Sequence, residues 1–239
     1  MKGINDYWQQ LSGDDIAAGK HREFVGGMWD DIGRLQLEFL KQQGLRPGHR
    51  LVDVGCGALR GGIHFAAYLE RGNYFGLDVN ASLVEAGRQE LAQAGLQAKA
   101  AHLAVSDTFE LGCFGTDFDF GIAVSLFTHL PRNYIMRCLV EVRRTLAPGG
   151  RFYATFFEAP TSGYLEPLVH EPGGITTLPD QDPFHYSVND MQAMAGLAGL
   201  SLQYIGEWGH PRSQKMLCFY QPDRKLDVGS GQAAQEKAR

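Results

Sequence analysis

The stretch Leu51–Gly62, LVDVGCGALRGG, constrains the fold more than any other part of this chain. Apolar Leu51, Val52 and Val54 interleave with Asp53, and glycines follow at Gly55 and Gly57. A buried strand that stops at a glycine turn and restarts as a helix has this pattern. Glycine enters backbone conformations closed to other residues and lets a ligand approach the main chain closely. The helix that follows turns free N–H groups and a positive dipole end toward that ligand. The unit reads as the first crossover of an open α/β sheet, where such folds bind nucleotides.

Two details separate this loop from a dinucleotide site. The sixth position of a G-x-G-x-x-G count is Arg60, not Gly or Ala. Asp53 stands two residues before the first glycine, and a carboxylate there suits a cationic amino-acid moiety better than a pyrophosphate. Asp53-Val54-Gly55-Cys56-Gly57 resembles motif I of class I methyltransferases, which use S-adenosylmethionine. Leu59 stands where that motif has its third glycine, with Gly61 and Gly62 just after. The resemblance implies a Rossmann-like, doubly wound α/β sheet of seven strands, mostly parallel, with the last strand antiparallel beside strand five. It implies cofactor contacts from Asp53, Gly55, Cys56, Gly57 and Arg60.

The downstream chain extends the resemblance over roughly residues 30–220. Gly62–Arg71 reads as a helix and Asn73–Asp78 as strand two. Asp78 ends that strand about twenty residues past the glycine loop, where a carboxylate accepts from both ribose hydroxyls. Asp78 and Val79 are therefore candidate cofactor contacts. A helix over Ala81–Ala94 and strand three over Ala100–Val105 lead to Ser106-Asp107. Asp107 is either an adenine contact, as the resemblance implies, or a helix cap. Phe118–Val124 reads as strand four, and its loop, Ser125–Pro131, resembles motif IV of small-molecule methyltransferases. Ser125 is placed with the cofactor and Phe127 with the acceptor. The loop lacks the N-P-P-Y or D-P-P-Y string and the Pro-Cys pair of enzymes that methylate nucleic-acid bases. Arg132–Leu146 reads as a helix, broken at Pro148-Gly149-Gly150 before strand five at Arg151–Phe157.

Acceptor recognition falls to the segments without periodicity. Residues 1–44 form an N-terminal helical extension, with a helix over Asp31–Gln43. His21, Arg22 and Trp29 read either as loop packing or as a lid, with Trp29 excluding water and Arg22 facing an anion. Residues 45–222 form the cofactor-binding domain, and residues 158–186, rich in proline, form its acceptor loop with Tyr164, His170, His185 and Tyr186. Ser187–Asp190 reads as a capping box opening a helix. Strands over Leu200–Gly206 and Lys215–Tyr220 close the sheet, and residues 223–239 read as a disordered tail. His129, His185 and His210 are candidate general bases, since histidine titrates near neutrality. His129 reads equally as a helix cap.

Composition narrows the partners. The 239-residue chain carries a net charge of −5 and no Lys/Arg-rich run, so a nucleic-acid partner is not expected. Its four cysteines lack C-x-x-C spacing and its eight histidines lack H-x-H or H-x-x-x-H spacing, so neither a disulfide framework nor a metal is expected. No leader or apolar span is evident, which points to the cytoplasm and away from membranes. The expected activity is transfer of a methyl group from S-adenosylmethionine to a small-molecule acceptor, most readily oxygen. A protein or RNA methyltransferase, a non-catalytic S-adenosylmethionine-binding module and a homodimer stay open; an NAD enzyme is disfavoured by Arg60 and Asp53.

Overall fold

A computed structural model describes residues 5–160 and 165–222. Tyr164 and the expected tail at 223–239 lie outside the described residues. In chain order the strands are β1 (Leu51–Val54), β2 (Tyr74–Asp78), β3 (His102–Val105), β4 (Phe118–Ala123), β5 (Leu146–Glu158), β6 (Leu168–His170), β7 (Ile175–Thr177), β8 (His185–Tyr186), β9 (Ser201–Gly206) and β10 (Lys215–Tyr220). The helices are α1 (Gly13–Ala17), α2 (Lys20–Phe24), α3 (Trp29–Gln42), α4 (Gly62–Tyr68), α5 (Ala81–Gln93), α6 (Arg132–Thr145) and α7 (Val188–Leu197).

The main sheet has the order β3-β2-β1-β4-β5-β10-β9, with the two-residue β8 added beside β5. Strands β1 to β5 pair in parallel. The last strand, β10, inserts between β5 and β9 and is antiparallel to both, as the resemblance implied. Every residue of β1 and β2 is buried, because parallel strands are covered on both faces.

Successive side chains of β1 serve two cores. Val52 and Val54 pack with Ile135 and Leu139 of α6 and with Met191 and Met194 of α7. Leu51 packs on the other face with Phe39 and Leu40 of α3 and Phe65 of α4. A smaller cluster joins Ile16 of α1 to Ala58, Leu83 and Ala86, with Trp29 against it.

The structure departs from the sequence reading in three places. Strand three starts two residues late, at His102, because Ala100 takes a positive φ of 52° after a short turn. Strand five starts early: Phe118 pairs with Leu146 and Phe120 with Arg151, so Pro148–Gly150 bulge within β5 instead of preceding it. The long loop after β5 is partly ordered by the β6–β7 hairpin and by β8. The capping box at Ser187 forms as expected, with Asp190 N–H donating to Ser187 Oγ. Among the described residues no helix is long and apolar enough to cross a membrane.

Candidate active site

A cleft of about 830 Å³, its open mouth included, lies at the C-terminal ends of β1, β2 and β4. The strand order reverses between β1 and β4, and ligands of open α/β sheets bind at that crevice. The β1–α4 loop forms its floor. Gly55 and Gly57 have φ of 74° and 53°, and a Cβ on Gly55 would lie 3.0 Å from Leu126 Cδ1. Nothing larger than glycine fits that turn without strain.

Two buried carboxyls line the cleft. Asp78 Oδ2 accepts from Gly57 N–H and Oδ1 from Asn80 N–H, both at 2.8 Å. Burial pushes its carboxyl up, while those backbone bonds pull it back. Each oxygen keeps accepting capacity for a further donor. Asp53 accepts from the Tyr74 hydroxyl at 3.0 Å. Burial pushes Asp53 up to about 7 against the pull of that bond. Cys56 and Val79 also line the cleft, and burial drives the Cys56 thiol well up.

The β4 loop supplies a third wall. Ser125 holds a φ of 58°, sparsely populated for a residue with a Cβ. Its N–H donates to Thr155 Oγ1 at 2.7 Å, and Gln214 Oε1 accepts from both the Ser125 and Thr155 hydroxyls. Leu126 then faces the cleft, while Phe127 turns into the core.

The N-terminal segment is the roof. Asn5, Tyr7 and Trp8 line the cleft. Asn80 Nδ2 donates to the carbonyls of Tyr7 and Gln9, and Asn5 Nδ2 donates to the His129 carbonyl. The Trp8 indole N–H is buried with no partner among the described residues.

At one edge of the cleft His129 Nδ1 and Asp182 Oδ1 are 2.5 Å apart. The Tyr7 ring meets the His129 ring edge-on, with centroids 4.9 Å apart. A carboxylate only accepts, so Asp182 selects the tautomer with the proton on Nδ1 and leaves Nε2 basic.

The structure brings together most of the expected cofactor residues: Asp53, Gly55, Cys56, Gly57, Arg60, Asp78, Val79 and Ser125 all line the cleft. Asp107 does not; it is exposed, within a turn in which Ser106 Oγ accepts from Thr108 and Glu110 N–H. Of the three candidate bases, only His129 lines the cleft. His185 is buried against Thr177, with Nδ1 2.7 Å from its hydroxyl. Burial, with Arg60 and Arg212 nearby, depresses His210 to about 3.

The acceptor candidates fall elsewhere. Arg22 forms a two-point pair with Glu90 of α5, at 2.7 and 2.8 Å, and lies over the Trp29 ring. Both residues therefore anchor the N-terminal helices and are not the roof. Phe127 is fully buried beside Phe152 and Phe219, because the turn at Ser125 sends it inward. Tyr186 is buried and donates to the Leu130 carbonyl at 2.7 Å. The roof residues Asn5, Tyr7 and Trp8, the helix residue Gln36, and Asp182 were not expected. Embedded aromatics in a polar N-terminus were the one signal for the roof.

Residues 52–152 match the profile of a family described as a methyltransferase domain. The match begins at β1 and ends in β5, so it contains the loops of the cleft floor. Over these residues the chain is similar to methyltransferase domains. The demethylmenaquinone methyltransferase of Symbiobacterium thermophilum is 29% identical over 143 residues, covering 58% of this chain and 53% of that one. The chain thus spans about half the length of that curated relative. Magnesium protoporphyrin IX methyltransferase from Synechocystis PCC 6803, solved with bound S-adenosylmethionine, superposes with a TM-score of 0.57 at 16% identity, covering 91% of this chain and 88% of that one. An S-adenosylmethionine-dependent methyltransferase from Clostridium acetobutylicum gives a TM-score of 0.64 at 11% identity over 88% of this chain and 99% of that one. At such identities the likeness is one of fold.

Proposed function

We propose that this chain transfers a methyl group from S-adenosylmethionine to an oxygen of a small-molecule acceptor. The observation that carries the reading is one cleft lined both by a pair of carboxyls, Asp53 and Asp78, and by His129, whose Nδ1 meets Asp182.

The donor set fits the cofactor. Asp78 offers two acceptor oxygens to a vicinal diol. Asp53 offers a carboxyl to an ammonium group. Gly55 and Gly57 leave room for close approach, and the orphan Trp8 N–H supplies a donor to whatever fills the cleft. When bound, S-adenosylmethionine supplies an electrophilic methyl carbon on a sulfonium and leaves as S-adenosylhomocysteine.

The chain's own work is alignment, exclusion of water and, for a hydroxyl acceptor, proton removal. Tyr7 and Trp8 cover the cleft, so water is kept from competing as an acceptor. Orientation of two reactants contributes up to about 7–11 kcal/mol. His129 Nε2 would take the proton of the acceptor hydroxyl, and Asp182 holds the ring in the required tautomer. A roofed cleft favours a small acceptor over a protein or RNA surface. The four cysteines carry no disulfide, which fits a reducing compartment such as the cytoplasm.

The deciding experiment is thermal unfolding with and without S-adenosylhomocysteine, on wild type and Asp78→Ala. Ligand at 100 times its dissociation constant should add about 2.7 kcal/mol of stability. That shift should vanish in Asp78→Ala. A folded wild type that shows no shift refutes the cofactor assignment.

A further inference from the structure

Beside the cleft, the β9–β10 connection meets the turn at residues 25–27. Arg60 Nη1 donates to the carbonyls of Val25 and Gly27, at 3.0 and 3.1 Å. Arg212 Nη2 donates to the Gly26 carbonyl between them, at 2.8 Å. Two guanidinium groups thus converge on three successive carbonyls. Among the described residues neither forms an ion pair with a carboxylate. Arg60 is 8% exposed, and burial together with Arg212 lowers it to about 10.

His210 completes the cluster. The Arg212 backbone N–H donates to His210 Nδ1 at 3.2 Å, which places the imidazole proton on Nε2. The ring is 5% exposed and stacks on Trp208, and Nε2 is buried with no partner among the described residues. A buried donor left unpaired beside two unneutralised cations is costly. A carbonyl clamp alone does not account for this arrangement, because a guanidinium has five donors and carbonyls carry no full charge. The cluster adjoins the cleft: the Tyr7 hydroxyl lies in the fields of Asp182, Arg60, Arg212 and Asp78 together.

We propose that Arg212 and His210, backed by Arg60, form a subsite for a carboxylate carried by the methyl acceptor. The proposal rests on the methyl-transfer reading above. Arginine and a neutral imidazole N–H together match the planar, two-oxygen geometry of a carboxylate. The cofactor's amino-acid end is the other carboxylate such a reaction brings. The acceptor's is favoured because Arg212 and His210 stand outside the wall that holds Asp53 and Asp78.

The test titrates protein saturated with S-adenosylhomocysteine with benzoate and, separately, with its neutral counterpart benzamide. Calorimetry and the fluorescence of Trp208, on which His210 stacks, report binding. Wild type should bind benzoate about tenfold or more tightly than benzamide. Arg212→Gln should lose that preference, Arg212→Lys should keep part of it, and both should bind S-adenosylhomocysteine within about threefold of wild type. Equal binding of the two probes by wild type, or an undiminished preference in a folded Arg212→Gln, overturns the proposal. A collapse of S-adenosylhomocysteine affinity in Arg212→Gln reassigns the subsite to the cofactor and overturns it as stated. If wild type does not bind S-adenosylhomocysteine at all, the methyl-transfer reading fails instead, and the same two probes on the free protein still test the anion site.

Discussion

His129 and Asp182 meet at 2.5 Å across 53 residues of sequence. One comes from the turn after β4 and the other from the long loop after β5, so the pair exists only once both loops have folded against the N-terminal roof. A histidine held by a carboxylate at the edge of a cleft has a fixed tautomer and a fixed orientation, the two requirements for a general base.

With a hydroxyl acceptor, His129→Gln should lower kcat by about 10²–10⁴-fold. Asp182→Asn should cause a smaller loss, since the base remains but its orientation is no longer imposed. S-adenosylhomocysteine affinity should hold in both. Steady-state kinetics alongside calorimetry separate the two effects. A weakened cofactor affinity with unchanged kcat would assign the pair to binding.

Asp53 should give the chain a distinctive pH response. Burial raises its folded value to about 7 from 3.8. A carboxyl raised in the folded state contributes stability that is full below its unfolded value and is lost as pH rises through about 7. The melting temperature of wild type relative to Asp53→Asn should therefore fall from about pH 4 to about pH 7. S-adenosylhomocysteine affinity should climb over the same interval, as Asp53 ionises to meet its ammonium, and should stay level in Asp53→Asn.

Glu90 should matter to the N-terminal helices. Burial alone would raise its carboxyl, but hydrogen bonds from Arg22 and His21 outweigh that and hold it low. Its contribution is thus present above the unfolded carboxyl value and is lost as pH falls through the lower folded one. Glu90→Gln should cost about 3 kcal/mol or less, because Arg22 stays half-exposed to water. Chemical denaturation measures the loss, and limited proteolysis should find new cuts around α1 and α2.

Asn80 should couple stability to ligand binding. Its side chain caps α5 by accepting from Ser82 and Leu83 N–H, and it donates to the Tyr7 and Gln9 carbonyls. Asn80→Ala should cost about 1 kcal/mol through the lost cap. It should also weaken S-adenosylhomocysteine binding, by releasing the roof. A stability loss without an affinity loss would separate the roof from the cofactor site.

The floor of the cleft was legible in the sequence because its parts are local. A strand, two glycines and an acid at the end of the next strand carry their meaning in their spacing. Histidine 129 was legible for the same reason, as part of the β4 turn. Its partner was not: Asp182 lies in a proline-rich stretch where no periodicity sets which residues face inward. Arg22 and Trp29 read either as loop packing or as a lid because charge and aromaticity mark them; the partner that decides for packing, Glu90 beneath Arg22, sits on the polar-looking face of a distant helix. Phe127 was misplaced because the chain after β4 runs into a single 3-10 turn over Phe127–His129, too short for any periodicity to mark which of its residues faces the core.

The roof has a consequence in time. Asn80 touches the base of the cleft through its backbone bond to Asp78 and the cover through Tyr7 and Gln9. If the chain works as proposed, loosening that single side chain should quicken exchange of whatever sits on Asp78, and turnover should rise wherever departure of the spent guest is the slow step.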